Sequence, residues 1–173
     1  VRTVSTMLPL GTSLPSFDLA VVKGTAYQIV DDQLTSFDKI SSKMLGAKPI
    51  LVMILCAHCP FVKHVEPELT KLDQDYCNRV QILAVASNSL ITHPQDGPKN
   101  LWMQAKQQGW RFPYLLDIEQ NFAKALKASC TPDFFLFSID NQGYQKLRYR
   151  GQLDGSRPAN NIPLTGEDLR FAL

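Results

Sequence analysis

Pro49-Ile50-Leu51-Val52-Met53-Ile54-Leu55 runs straight into Cys56-Ala57-His58-Cys59-Pro60, and this stretch decides how the chain is read. The unbroken apolar run is that of a strand buried on both faces. Beyond it Phe61, Val62, Val65, Leu69, Leu72 and Tyr76 recur at helical spacing, with Lys63, Glu66, Glu68 and Lys71 between them. Two cysteines three positions apart across a strand-to-helix junction can close a tight disulfide without moving the backbone. The helix N-terminus offers free N–H groups and positive potential, which favour a thiolate on the first cysteine. His58 inside the loop adds to that bias when protonated. Leu55 to Pro60 therefore reads as a redox dithiol.

Two other chemistries use such a pair. Structural zinc needs a second Cys/His pair at ligand spacing. Here Cys77 and Cys130 stand singly, and no HxxxH or second CxxC occurs among His58, His64 and His93. A structural disulfide closing so short a loop would constrain little of the unfolded chain. Neither a metal nor another cofactor is expected.

The 173 residues suffice for one domain, taken as residues 1–173, with a full core and no staples. The chain is 45% apolar and 20% charged, with a net charge of +2 and no long run of one sign. That composition points away from a nucleic-acid stripe or a membrane surface. Four cysteines are too few for a disulfide scaffold at this length and suit a reducing compartment in which one pair does chemistry. Val1 to Met7 carries no apolar targeting core. A start at Val1 is compatible with loss of an initiator methionine or with trimming of a longer precursor. The expected compartment is the cytoplasm.

Leu8 to Leu19, with Pro9, Gly11 and Pro15, reads as an extended segment with a short strand at Phe17-Asp18-Leu19. Turns and one short helix around Leu34 to Leu45 are expected next. After the dithiol, Pro67 falls inside the helical pattern and should kink it. Val80 to Ala86 is a strand, and residues 88–98 are loop, ending on the turn signal Asp96-Gly97-Pro98. A helix over Asn100 to Gly109 turns Leu101, Trp102 and Ala105 inward. A short strand from Phe112 to Leu116 and a helix from Ile118 to Ala128 follow. Phe134 to Ile139 and Lys146 to Tyr149 flank the hairpin signal Asp140-Asn141-Gln142-Gly143. A loop rich in Pro, Asn and Gly leads from Leu153 to a terminal helix at Glu167. The order predicts an α/β fold, a mixed sheet with helices on both faces.

Ser129-Cys130-Thr131-Pro132-Asp133-Phe134-Phe135-Leu136-Phe137 places a Thr-Pro at the mouth of an apolar strand. A dithiol followed downstream by Thr-Pro and a terminal hairpin resembles the thioredoxin fold over roughly residues 8–153. Leu10-Gly11 through Pro15-Ser16-Phe17-Asp18-Leu19 looks like the opening of the redoxin (AhpC/TSA-like) branch. The resemblance implies a thioredoxin-like domain with an N-terminal extension and a cis Thr131–Pro132 bond beside the dithiol. It implies Cys56 as the exposed nucleophile, Cys59 as the buried resolving thiol, and Thr131 and Pro132 as the loop that presents backbone groups to substrate. Ala57-His58 is similar to the x-His pair of disulfide isomerases. A histidine there stabilises the Cys56 thiolate and makes the couple more oxidising. The implied activity is thiol–disulfide exchange with partner proteins, fed by a reductase or another thiol donor.

The chain departs from the pattern in three places. Leu55 replaces the tryptophan that precedes the dithiol in thioredoxins. Ile50 stands where they carry a buried acid, which leaves the proton acceptor for Cys59 unassigned. Glu66 and Glu68 are candidates if turned inward, but both read as a solvated helix face. The peroxiredoxin pattern Pro-x-x-x-Thr-x-x-Cys, counted back from Cys56, finds Pro49 but meets Met53 in place of the threonine. Thiol peroxidase is accordingly the second reading. A metallochaperone using Cys56, Cys59 and a histidine is the third, and it lacks both the three-residue cysteine spacing and a histidine beyond His93.

Cys130, two positions before Pro132, is a candidate accessory thiol, set against a preferred reading as inert filler pointing into the core. Cys77 reads as a small buried hydrophobe and His64 as solvent-facing or internally satisfied. Trp102, Trp110, Phe112 and Tyr114 read as core. Arg148, Arg150 and Arg157 with Asp154 read as a solvated salt-bridged face.

Overall fold

The computed structural model describes residues 7–25, 28–30, 33–35 and 38–173. Residues 1–6, read above for a targeting signal, lie outside these, as do residues 36–37 of the expected Leu34–Leu45 helix. In chain order come β1 (Asp18–Val21), β2 (Gln28–Val30), β3 (Gln33–Thr35), β4 (Lys39–Ser41), β5 (Ile50–Ile54) and α1 (Pro60–Tyr76). Then follow β6 (Gln81–Ala86), α2 (Pro98–Gln108), β7 (Tyr114–Leu116), α3 (Asn121–Ala125), β8 (Asp133–Ile139), β9 (Gln145–Gly151) and α4 (Glu167–Ala172).

Among the described residues, seven strands join in the order β4-β1-β7-β6-β5-β8-β9, and β2 pairs with β3 apart from them. β5, β6 and β7 run parallel. Parallel neighbours need crossover connections, and α1 and α2 supply them. β8 lies antiparallel to β5, and the Asp140-to-Gly143 turn folds β9 back beside it as the sequence signals. The result is the thioredoxin-like fold, with its mixed sheet and flanking helices.

Among the described residues of Leu34 to Leu45 the expected helix is not formed. Its described part is β3, β4 and a short 3-10 turn over Ser42–Met44. Lys39 to Ser41 is a strand because it pairs antiparallel with Asp18 to Ala20, and the ladder overrides a weak local helical signal.

Alternation along β5 divides the core in two. Leu51 and Met53 pack with Val62, Val65 and Leu69 of α1, Leu101 and Ala105 of α2, and Leu169 of α4. Ile50, Val52 and Ile54 face the other way, onto Phe17, Phe122 and Leu126. All five β5 side chains are at most 3% exposed. Each such burial contributes roughly 1.5–3 kcal/mol, so the strand is a rigid floor for the loop that follows it.

α1 begins immediately after that loop. Cys59 is its N-cap and Pro60 its first residue, where a missing N–H costs nothing. The helix continues through Pro67 to Tyr76. Pro67 is exposed, while the opposite face, from Val62 to Leu72, is anchored in the core.

Trp110, Phe112 and Tyr114 are core, as read from the sequence, but Trp102 is not: it remains 36% exposed. It lies over Gly24, whose φ of +82° suits glycine and whose absent side chain makes room for the indole. No helix among the described residues is long and apolar enough to cross a membrane.

Candidate active site

The end of β5 and the start of α1 hold the two cysteines, and the loop before β8 brings Thr131 and Pro132 to them. Cys56, Cys59, Cys77 and Cys130 are all free thiols. The Thr131–Pro132 bond is cis. Thr131 touches both sulfurs of the pair. Its Oγ1 lies 3.4 Å from Cys56 Sγ, and its carbonyl oxygen accepts from Cys59 Sγ at 3.6 Å. The two halves of the site, more than 70 residues apart in sequence, are therefore in direct contact.

The exposure of the pair is the reverse of what the resemblance implied. Cys56 is 1% exposed, whereas Cys59 is partly open. The cause is the sheet: Cys56 is still packed with Leu55, Val62 and Phe134 in the core, while Cys59 has reached the surface at the helix cap. The thiol of Cys56 also runs against expectation. Burial pushes it above the ordinary cysteine value, and the Asp96 charge adds to this. The Thr131 hydroxyl and the Cys59 backbone N–H oppose the rise without cancelling it. Cys56 thus has donors arranged for its anion, and Cys59 has a carbonyl arranged for its S–H.

Asp96 is the residue of this site that sequence reasoning missed. It is 1% exposed, on the loop between β6 and α2. Its Oδ1 accepts the Ala57 backbone N–H at 2.9 Å, and Oδ2 accepts from Asn88 Nδ2 at 2.7 Å. His58 Nδ1 lies 2.8 Å from Oδ1 and 2.7 Å from Oδ2. Burial alone would raise this carboxyl. The hydrogen bonds from Asn88, His58 and Ala57 outweigh burial and hold it below the ordinary carboxylate value. His58 is thus engaged with a carboxylate and stacks on His93, with ring centroids 5.1 Å apart. In the sequence Asp96 announced only a turn.

Beneath the dithiol lies a second buried acid. Glu66 and Glu68, expected on a solvated face, are 5% and 2% exposed. Glu66 accepts from Gln104 Nε2, Gln108 Nε2 and Lys63. Gln104 in turn donates to the Cys56 carbonyl and accepts from the Tyr114 hydroxyl. Full burial drives the Tyr114 phenol well above its ordinary value, so it is a fixed donor. Glu68 turns away to Arg170 of α4 and serves packing, not the site.

Cys130 is exposed, not directed into the core. With Thr131 and Pro132 it lines a cavity of about 240 Å³ closed on the far side by Leu153, Ser156 and Arg157. His64 is satisfied internally, 2.7 Å from Ser156 Oγ. Cys77 is partly exposed and meets Arg111 at 3.6 Å, so it is no core residue. Among the described residues the expected salt bridges of Arg148, Arg150 and Arg157 do not form. Arg157 donates to the Asp154 and Ser156 carbonyls and to Gln152, and Arg148 donates to Ser138. The buried Asp154 carboxylate instead accepts the Ser156, Thr165 and Gly166 N–H groups and shapes the loop after β9.

The sequence model of the AhpC/TSA family matches residues 10–150. Among proteins of curated function none matches the sequence. An uncharacterized conserved protein from Geobacillus kaustophilus is 40% identical and superposes with a TM-score of 0.82, covering 96% of this chain and 80% of its own. A hypothetical protein from Sinorhizobium meliloti 1021 is 32% identical at a TM-score of 0.82, covering 98% and 84%. The thioredoxin domain of a thiol-disulfide oxidoreductase from Bacteroides vulgatus shares the fold at 15% identity, with a TM-score of 0.59 and coverage of 83% and 91%. This chain therefore belongs to the AhpC/TSA, or redoxin, family and carries the thioredoxin-like fold.

Proposed function

We propose that the protein is a thiol–disulfide oxidoreductase that exchanges a Cys56–Cys59 dithiol with disulfides in partner proteins. The observation that carries this reading is the contact of Thr131 with both sulfurs, hydroxyl to Cys56 and carbonyl to Cys59. Cys56, the sulfur with donors arranged for its anion, attacks the partner disulfide and loses its proton as it does so. Cys59, which faces the Thr131 carbonyl, resolves the mixed disulfide. Thr131 and Pro132 offer the backbone against which an extended substrate segment lies. A second protein or small thiol restores the dithiol.

The test is reduction of a protein disulfide such as insulin with dithiothreitol as donor. Wild type accelerates it, Cys56→Ser abolishes the effect, and Cys59→Ser accumulates a mixed disulfide. Family membership supports thiol peroxidase as the second reading, although Met53 still stands where that chemistry calls for threonine. Peroxide consumption without disulfide reduction would reverse the order of the two.

A further inference from the structure

We propose that Asp96 is the positioning residue that makes His58 the proton acceptor of the dithiol, so that the Cys56 proton leaves along a Cys56–His58–Asp96 path. The inference rests on the dithiol reading above and supplies what the chain lacks at Ile50, a buried acid coupled to the thiols.

Asp96 is ionised and can only accept, so the ring nitrogen it holds, Nδ1, must carry the proton. Nε2 is left as the basic nitrogen of His58. Cys56 Sγ, a His58 ring nitrogen and an Asp96 oxygen lie within 4.8 Å of one another, a span that one bridging water or a small ring movement closes. The Ala57 N–H on the same carboxylate locks the dithiol loop in this arrangement. Cys56 is not stored as a thiolate, because burial and the Asp96 charge both oppose the anion. Its proton must therefore be taken as it reacts.

Other ionisable groups face this assembly. Cys59 lies on the same loop, and His93 stacks on His58 from the loop that carries Asp96. Tyr114 and Glu66 lie beneath, and Lys124 of α3 lines the cavity shared by His58 and Cys59.

In the reaction the Cys56 proton passes to the His58 imidazole as the sulfur attacks a substrate disulfide. A Cys56–substrate S–S bond forms, the substrate S–S bond breaks, and the leaving thiolate takes the proton from the imidazolium. Cys59 then attacks Cys56, its proton leaving the same way, and the second substrate thiol departs. The dithiol loses two electrons and the substrate gains two.

The experiment reads the protein's own thiol and needs no substrate. The rate of Cys56 alkylation by iodoacetamide is followed from about pH 5 to pH 10, with the other three cysteines replaced by serine. His58→Gln should slow alkylation at pH 7 at least about tenfold, with wild type and variant converging at about pH 10, where hydroxide takes the proton. Asp96→Asn keeps an acceptor for Ala57 but removes the charge that holds the ring, and should slow alkylation at pH 7 about threefold or more with the same convergence at high pH.

An Asp96→Asn rate equal to wild type at pH 7 overturns the proposal. Should Asp96→Asn fail to fold, His58→Gln decides: an unchanged profile overturns the proposal. A His58-dependent rate at pH 7 in a protein that reduces no disulfide would sink the oxidoreductase reading alone.

Discussion

Gln104 of α2 donates its side-chain amide to the backbone carbonyl of Cys56 at 3.0 Å. The same amide nitrogen donates to Glu66 Oε1 at 2.9 Å, and its oxygen accepts from the Tyr114 hydroxyl at 3.1 Å. One side chain, itself 2% exposed, thus joins α1, α2, β7 and the dithiol loop. Gln104→Leu would strand a carbonyl and a phenol in the interior and leave Glu66 Oε1 to Lys63 alone. We expect a loss of about 2–3 kcal/mol, read by urea denaturation. A loss below about 0.5 kcal/mol would show that water replaces the amide.

Gly24→Ala should destabilise by at least about 1 kcal/mol. A Cβ at position 24 would meet Trp102 Nε1 at 2.6 Å, on a backbone with φ of +82°. The added methyl must displace the indole, so the variant should also change tryptophan fluorescence. Thermal unfolding and emission spectra together check this, and an unchanged spectrum would place the indole elsewhere.

In the reduced protein, iodoacetamide at neutral pH should label Cys59 and Cys130 before Cys56. Burial raises the thiols of both Cys56 and Cys130, but Cys56 is buried whereas Cys130 is exposed and Cys59 partly so. We expect Cys56 to lag by about tenfold or more in timed mass mapping. Labelling of Cys56 first would mean that the resting loop opens more readily than its packing shows.

Asp133 follows the cis proline, and its carboxyl is pushed up to about 6, chiefly by burial, against hydrogen bonds from the Ser129 and Phe134 N–H groups and the charge of Arg150. A raised carboxyl favours the folded state while it is protonated. That contribution is complete below the unfolded value near 3.8 and is lost as pH rises through about 6. Asp133→Asn should therefore match wild type near pH 4 and unfold roughly 3–6 °C higher near pH 7.5. Equal melting temperatures at both pH values would remove this account.

Much of the fold is local and was legible. The apolar run at Ile50–Ile54, the helical spacing after Pro60 and the turn at Asp140 to Gly143 each report the face or bend that their own neighbours impose. The dithiol and Thr131-Pro132 were visible too, because each occupies a marked boundary of an element.

What the sequence determined alone was therefore the strands and helices that carry a clear apolar pattern, and the place of Cys56 and Cys59 on either side of a strand-to-helix junction. Tertiary structure decided the partners. Lys39 to Ser41 became a strand because β1 lay beside it. Glu66 turned inward because Gln104 and Gln108 met it. Asp96 reached Ala57 and His58 from 39 and 38 residues away. Periodicity records burial of apolar faces, which is set residue by residue. The pairing of buried polar groups has no period, since each donor needs one acceptor at about 3 Å, and only the folded chain determines which one arrives.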